Sequence, residues 1–275
     1  MSSPRLHITC LTTRTGLRLF ARRTLLLLAC AASASKADAE EEAQGKTAQW
    51  AIGAAVRAEQ ELYKGTGRET DLLPLVRFEN RYVLVQLPGA ELKLPKVALG
   101  RSSSLDLRLM ATYEGDGYSG SDSEFLAGMS ARKASVWTGA KLTWETPLAE
   151  LSAELLRDAS GNSGGRVVNL ELEAELDVGA NLEITPRVGV SMLDQKYVDY
   201  YYGVRPGEAA LSRPAYSGRS ARNFELGVRA TYAYDKKHLF IFDASRTKLS
   251  QSIRDSPLVD QSSQAAFALS YAYRF

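Results

Sequence analysis

Cysteine is nearly missing from this chain, and where it occurs is informative. The 275 residues hold two, Cys10 and Cys30, both inside the first 39. Downstream of these, neither disulfides nor thiolate metal sites enter the chemistry. Histidine is as scarce, with His7 and His238, which leaves one imidazole beyond residue 39 for acid/base work. No apolar run is long enough to cross a bilayer as a helix. Nor is there a strong charge of one sign. The whole chain carries +2, but residues 1–39 hold 6 of the 34 Lys and Arg and 1 of the 32 Asp and Glu. Residues 40–275 therefore hold 28 basic and 31 acidic groups, a net of −3. A nucleic-acid partner, which calls for a basic face, has no support in this balance.

The start of the chain reads as a targeting segment. Arg14, Arg18, Arg22 and Arg23 precede "TLLLLACAASASKADAEE", and this order of charge, short apolar run and Ala-x-Ala site at 37–39 is that of a cleaved secretory signal over residues 1–39. "LLAC" at Cys30 loosely resembles a lipoprotein cleavage site. Cutting there would leave little apolar region, and "ADA" is better placed. Residues 40–49 then form a short periplasmic N-terminal segment, and residues 50–275 the folded body.

Alternation of apolar and polar residues runs through that body. In the closing "QAAFALSYAYRF", Ala265, Phe267, Leu269, Tyr271, Tyr273 and Phe275 share one face of a β-strand, opposite Gln264, Ala266, Ala268, Ser270, Ala272 and Arg274. The same period of two recurs in "NLEITPRVGVS", "VNLELEAEL", "LDLRLMATYE", "NFELGVRATYAY" and "WAIGAAVRAE". A soluble sandwich would also alternate. It would not string together so many strands of about ten residues, each the length that crosses a bilayer at a tilt, with connections taking turns between short and long. The reading is an all-β, transmembrane antiparallel β-barrel of about twelve strands, with ten if 81–99 ("RYVLVQLPGAELKLPKVAL", short and interrupted by prolines) lies outside the wall. An even count puts both termini on the periplasmic side, and the location is the cell outer membrane, with its lipid as the first partner.

The polar stripe then faces the lumen. It carries Arg57, Arg77, Arg108, Lys141, Arg187 and Arg229 together with Glu59, Glu79, Asp106, Glu171, Glu173, Glu175, Glu183 and Glu225. Unpaired charges away from water are costly, so these groups are expected to pair across the interior rather than to line a selective pore. "YVDYYYGV" sets Tyr197, Asp199, Tyr200, Tyr201 and Tyr202 together, either as a recognition patch or as structural aromatics folded over the barrel mouth. Tyr271, Tyr273 and Phe275 form the terminal barrel-insertion signature. Asp116, Asp122 and Glu124 in "GDGYSGSDSE" lack the spacing of a calcium loop and read as a solvated turn. His238 falls in a short periplasmic turn, far from where a barrel hydrolase would need it. No catalytic, cofactor-binding or metal residue is assigned.

Several stretches carry a resemblance. "YEGDGYSGSDSEFLAGMSARKAS" (113–135), "LLRDASGNSGG" (155–165), "TPRVGVSMLDQKYVDYYYGVRPGEA" (185–209), "PAYSG" (214–218), "DSPLVD" (255–260) and the closing "YAYRF" together resemble the MipA/OmpV family of outer-membrane proteins. The resemblance implies a non-enzymatic outer-membrane barrel. It also implies one of the family's described roles, a scaffold joining a murein transglycosylase to a murein synthase, or adhesion, or osmotic response. Scaffold, narrow pore and surface adhesin acting through the long loops all stay open at this point.

Overall fold

A computed structural model describes residues 48–114 and 117–275. The expected signal (1–39) and nearly all of the expected N-terminal segment (40–49) lie outside the described residues, as do Gly115 and Asp116. The rest is one antiparallel meander closed on itself. Its strands are β1 (Gln49–Gln60), β2 (Arg68–Glu79), β3 (Val83–Gln86), β4 (Gly89–Lys93), β5 (Ser104–Glu114), β6 (Ser135–Glu145), β7 (Glu150–Asp158), β8 (Arg166–Glu173), β9 (Leu182–Leu193), β10 (Ala221–Ala233), β11 (His238–Lys248) and β12 (Ser263–Arg274). Each pairs with the next, and β12 returns to β1 from Ala51↔Arg274 to Glu59↔Ala266. The result is a wall of twelve strands that closes around the circuit, although β3 covers only the lower part of β2. Closure matters because a bilayer offers no water to satisfy an open sheet edge.

Two short strand pieces extend the wall beyond prolines. Val97–Ala98 continues β4 past Pro95 on the same neighbour, β5. Leu176–Val178 continues β8 against β9. There the Ala174 N–H donates to the Pro186 carbonyl at 3.2 Å. Pro186 has no N–H to return the bond, so the ladder is interrupted at that pair without a change of register. Residues 81–99 thus do belong to the wall, as a short hairpin.

Period two decides which side chain meets lipid. On β1 and β12, Ile52, Val56, Leu269, Phe267 and Tyr271 are exposed, while Ala51, Ala55, Arg57, Ser270 and Ala272 are buried. The apolar outer face is exposed because lipid, not protein, covers it. Connections at the end shared by Gln49 and Arg274 are mostly short, such as 80–82, 146–149 and 234–237, and this is the periplasmic end. Aromatic side chains ring it. Trp50 and Phe78 lie 4.7 Å apart, Tyr273 and Phe275 5.1 Å, and the Phe275 N–H donates to the Trp50 carbonyl at 3.1 Å. His238 starts β11 rather than sitting in the turn. Its Nδ1 is 2.8 Å from the Tyr271 hydroxyl, so it joins this girdle.

At the other end the connections 115–134, 194–220 and 249–262 are long and structured. They hold α1 (Gln195–Tyr202), α2 (Gln251–Arg254) and 3-10 turns at Glu124–Leu126 and Pro206–Glu208. Together with 61–67 and 159–165 they close over the mouth.

Candidate functional site: an ion-paired lumen under a packed cap

The lumen is built by the inward half of each strand. Opposite charges meet both along single strands, two residues apart, and between strands, and the charges pair. Arg57 meets Glu59. Glu79 accepts from Arg77 at 2.6 Å and also binds Lys93. Arg108 donates to Asp106 at 2.8 Å and to Glu91 at 2.9 Å, and Lys141 pairs with Glu154 at 3.2 Å. The densest knot is on β9, β10 and β11. Arg187 donates to both oxygens of Asp243, at 2.8 and 2.9 Å, and to Glu225 at 3.2 Å, while Arg229 reaches Asp243 at 3.3 Å. Gly227 makes room for this: a Cβ there would sit 2.6 Å from the Arg187 guanidinium carbon. Most of the polar stripe expected to pair does so, but Glu173 Oε2 is buried with no hydrogen-bond partner among the described residues.

Asp243 was not among the lumen residues expected from sequence, although the parity of "HLFIFDASRTK" places it inward. Glu91, Lys93 and Glu154 were missed with it. Above the knot a cavity of about 200 Å³ remains, lined by Arg57, Glu59, Lys141, Glu171, Asn223 and Glu225 and reaching up to Tyr197.

The cap over this cavity is organised around α1. Asp194 ends β9 and caps the helix, accepting from the Tyr197 N–H at 2.9 Å. Tyr197, Val198, Tyr201 and Tyr202 are buried, Tyr200 is half-buried, and Asp199 is exposed. The tyrosines therefore form the core of the cap instead of an exposed recognition patch. Tyr197 packs 5.6 Å from Trp137 and 4.7 Å from Tyr201. Tyr63, from the β1–β2 loop, stacks 6.0 Å from Tyr202 and meets Tyr118 edge-on at 4.5 Å. Tyr201 donates to the Lys133 carbonyl at 3.1 Å, and Ser256 to the Tyr202 carbonyl at 2.6 Å. Leu126, Ile253 and Leu258 are fully buried in the same cluster.

Charged residues lock the loops to one another. Arg132 grips Glu208 through two bonds, at 3.1 and 2.7 Å, and donates to the Tyr200 carbonyl at 2.7 Å. Arg213 binds the carbonyls of Glu208, Phe125 and Ala127. Burial alone would raise the Glu208 carboxyl, but bonds from Arg132 and Ser130 outweigh it and hold its pKa at about 2. Burial pushes the Tyr118 hydroxyl up to about 12. Asp122 accepts from the Ser119 N–H at 2.9 Å, a turn contact, and Asp116 lies outside the described residues. Arg132, Glu208 and Arg213 stand singly in irregular loops, where no periodicity marks them.

Tyr271, Tyr273 and Phe275 all point outward on the last strand or just past it, in the periplasmic girdle.

Comparison with known proteins follows this geometry. The family model described as MltA-interacting protein MipA matches residues 52–275. Outer membrane protein YiaT of Escherichia coli (strain K12) is 25% identical over 236 residues, covering 85% of this chain and 94% of that protein. Outer membrane protein OmpV of Vibrio cholerae is 25% identical over 62% of this chain and 66% of its own length. The protein named MltA-interacting protein of Escherichia coli (strain K12) is 28% identical over 52% of this chain and 58% of its own. Among solved structures, the NanC porin aligns over 80% of this chain and 98% of its own at 10% identity, with a TM-score of 0.42.

Proposed function

The chain belongs to the MltA-interacting protein MipA family, and from that premise we propose that this outer-membrane β-barrel is a non-enzymatic scaffold holding murein-processing enzymes at the periplasmic face. One observation carries the reading. The two ends of the barrel treat their large apolar side chains in opposite ways. Among the described residues the extracellular loops bury most of theirs in the cap, with Leu211 the exposed exception, whereas consecutive periplasmic connections present Tyr82, Leu99 and Leu148 at 58%, 54% and 85% exposure. These turns are neighbours in space: Lys93 donates to the Tyr82 carbonyl at 2.7 Å, and Lys96 from the 94–103 link reaches Glu145 beside Leu148 at 2.5 Å. Exposed apolar residues rimmed by charge are the usual composition of a protein-binding surface. A relative named for interaction with MltA supports a murein transglycosylase as one occupant, and a murein synthase is the second partner the family role calls for.

The test is photo-crosslinking in cells from positions 99 and 148, with position 211 in the extracellular loop as comparison. Recovery of a murein hydrolase or synthase from the periplasmic positions alone is expected. Adducts to no wall enzyme would remove the scaffold. The pore alternative draws on the 200 Å³ lumen cavity. It is favoured instead if planar-bilayer recordings of the intact barrel give steps of defined conductance. The adhesin alternative has no comparable support, because the loops spend their aromatic residues on their own core.

A further inference from the structure

The wall is closed at the periplasmic end but not all the way up. β2 runs twelve residues, yet β3 pairs with it only at Arg77, Phe78 and Glu79. Above the Leu87–Pro88 turn, the side of β2 that faces β3 has no neighbouring strand among the described residues. The hydrogen bonds say which groups point there. Val76 accepts from the Leu87 N–H at 3.3 Å, and Asn80 donates to the Val83 carbonyl at 2.9 Å, so the even-numbered residues address this side. Thr70, Leu72 and Pro74 therefore aim their backbone into an opening about 20 Å tall, from the strand rise of about 3.3 Å per residue.

The opening is framed. Its floor is Leu87–Pro88, whose Pro88 carbonyl accepts from Tyr113 of β5 at 3.3 Å. Its lintel is the cap loop, where Ser123 donates to the Lys64 carbonyl at 2.8 Å and Lys64 lies 5.2 Å from the Phe125 ring. Leu72 beside it is 72% exposed, the highest value for any large apolar side chain in the twelve strands described. Its row across the sheet, Val56, Leu269 and Phe242, is apolar and outward, so the window opens within the hydrocarbon band. Inside it, Leu73 and Leu75 point inward, level with Ala55, Ser270 and Ile241 and with Gly53, Ala272 and Leu239, so the inner lip of the window is apolar. The lumen cavity reaches its β5 side through Met110 and Thr112, and is lined on the other side by Arg57 and Glu59 of β1, the strand next to β2.

We propose that this window between β2 and β5 is a lateral binding site for a zwitterionic phospholipid, its headgroup in the lumen cavity and its acyl chain leaving over Leu73, Leu75 and Leu72. The apolar lip suits a chain. The cavity lining carries both signs in near balance, Arg57, Lys141, Arg187 and Arg229 with Glu59, Glu154, Glu171 and Glu225, which suits a zwitterion better than an anion. Backbone groups left open in hydrocarbon need polar company, which water and a headgroup supply. An added strand is the competing occupant of an open edge, but Pro74 has no N–H to give it, the device by which edge strands refuse pairing. The inference is independent of the scaffold reading.

The experiment uses the full barrel, delipidated, refolded and incubated with 1-palmitoyl-lysophosphatidylethanolamine. Native mass spectrometry should show one lipid retained after annular lipid is stripped. Leu73→Asp with Leu75→Asp should cut retention at least about tenfold, since a charge facing an acyl chain costs well over 1.4 kcal/mol. Leu75→Trp, which fills the window without charge, should do the same in a barrel whose heat-shifted band is intact. Leu172→Ala on the far lipid face should change nothing. No retained lipid in the wild type, or equal retention in all variants, overturns the proposal. So does a wild-type dimer abolished by Thr70→Pro, which would put a second copy on the edge.

Discussion

The wall and the cap solve burial with opposite polarity. In the wall, charge is among what is hidden from solvent: Arg57, Arg187 and Asp243 are all under 8% exposed, beside a few apolar residues such as Leu239 and Ile241, while most leucines and phenylalanines face outward. In the cap the hidden residues are Leu126, Val198, Ile253 and Leu258, as in any water-soluble core. The wall leans on its ladder, closed around twelve strands, and its apolar face needs lipid. The cap leans on packed side chains gathered from four loops and the strand ends beneath them. A wall position can thus be judged by its partners, and a cap position by the space it fills.

The largest break in this comparison is at Asp243. It accepts from Arg187 and Arg229 at once, so Asp243→Ala leaves two guanidinium groups buried without their shared anion. Such a loss costs about 3–5 kcal/mol. The whole barrel is expected to lose its heat-shifted band at lower urea concentration, and Asp243→Asn, which keeps two acceptor or donor atoms in place, should lose less. An unchanged urea midpoint for Asp243→Ala would mean that the lumen charges are solvated rather than paired.

The wall was legible because strand parity is a local rule. Reading every second residue from Leu182, Phe224 or Ala265 places each side chain in lipid or lumen, and the short turns set the count. The count was in question only over 81–99, where Pro88 and Pro95 interrupt short strands. The cap was not legible, since nothing in the spacing of Tyr63, Tyr118, Tyr197 and Ile253 says that their four loops converge over Trp137. Tyr63 donates to the Tyr201 carbonyl at 3.2 Å across 138 residues of sequence. "YVDYYYGV" advertised aromatic density, but density alone does not distinguish a patch that binds a partner from one that binds its own loops. The window was half visible: the short, proline-bearing 81–99 was seen as irregular, and the missing neighbour of β2 follows from that shortness.

Ile253→Ala sharpens the comparison from the other side. Ile253 is fully buried in the cap, and truncation there should cost about 2–4 kcal/mol of packing. Because the cap is not part of the ladder, that loss should appear as faster proteolysis of 194–220, with the urea midpoint of the barrel unmoved. A lowered midpoint equal to that of Asp243→Ala would show wall and cap to be one cooperative unit.

The smallest expected effect is on pH, and it belongs to the cap alone. Burial works against the Glu208 carboxylate, but Arg132 and the Ser130 N–H hold it ionised down to about 2, against an ordinary value of 4.5. A carboxyl whose folded pKa is depressed adds stability above its unfolded value and loses it as pH falls through the folded one. The clasp between 115–134 and 194–220 should therefore be at full strength above pH 4.5 and weaken progressively toward pH 2. Proteolysis of the 194–220 loop by an acid protease, followed across that window, reads it directly. Glu208→Gln removes the titrating group while keeping a carbonyl for Arg132, so its cap should be looser at neutral pH and its cleavage rate nearly flat from pH 4.5 to 2. If the variant keeps the full wild-type slope, other carboxylates set the acid response, and the Arg132–Glu208 pair is a packing contact with no electrostatic share in holding the cap.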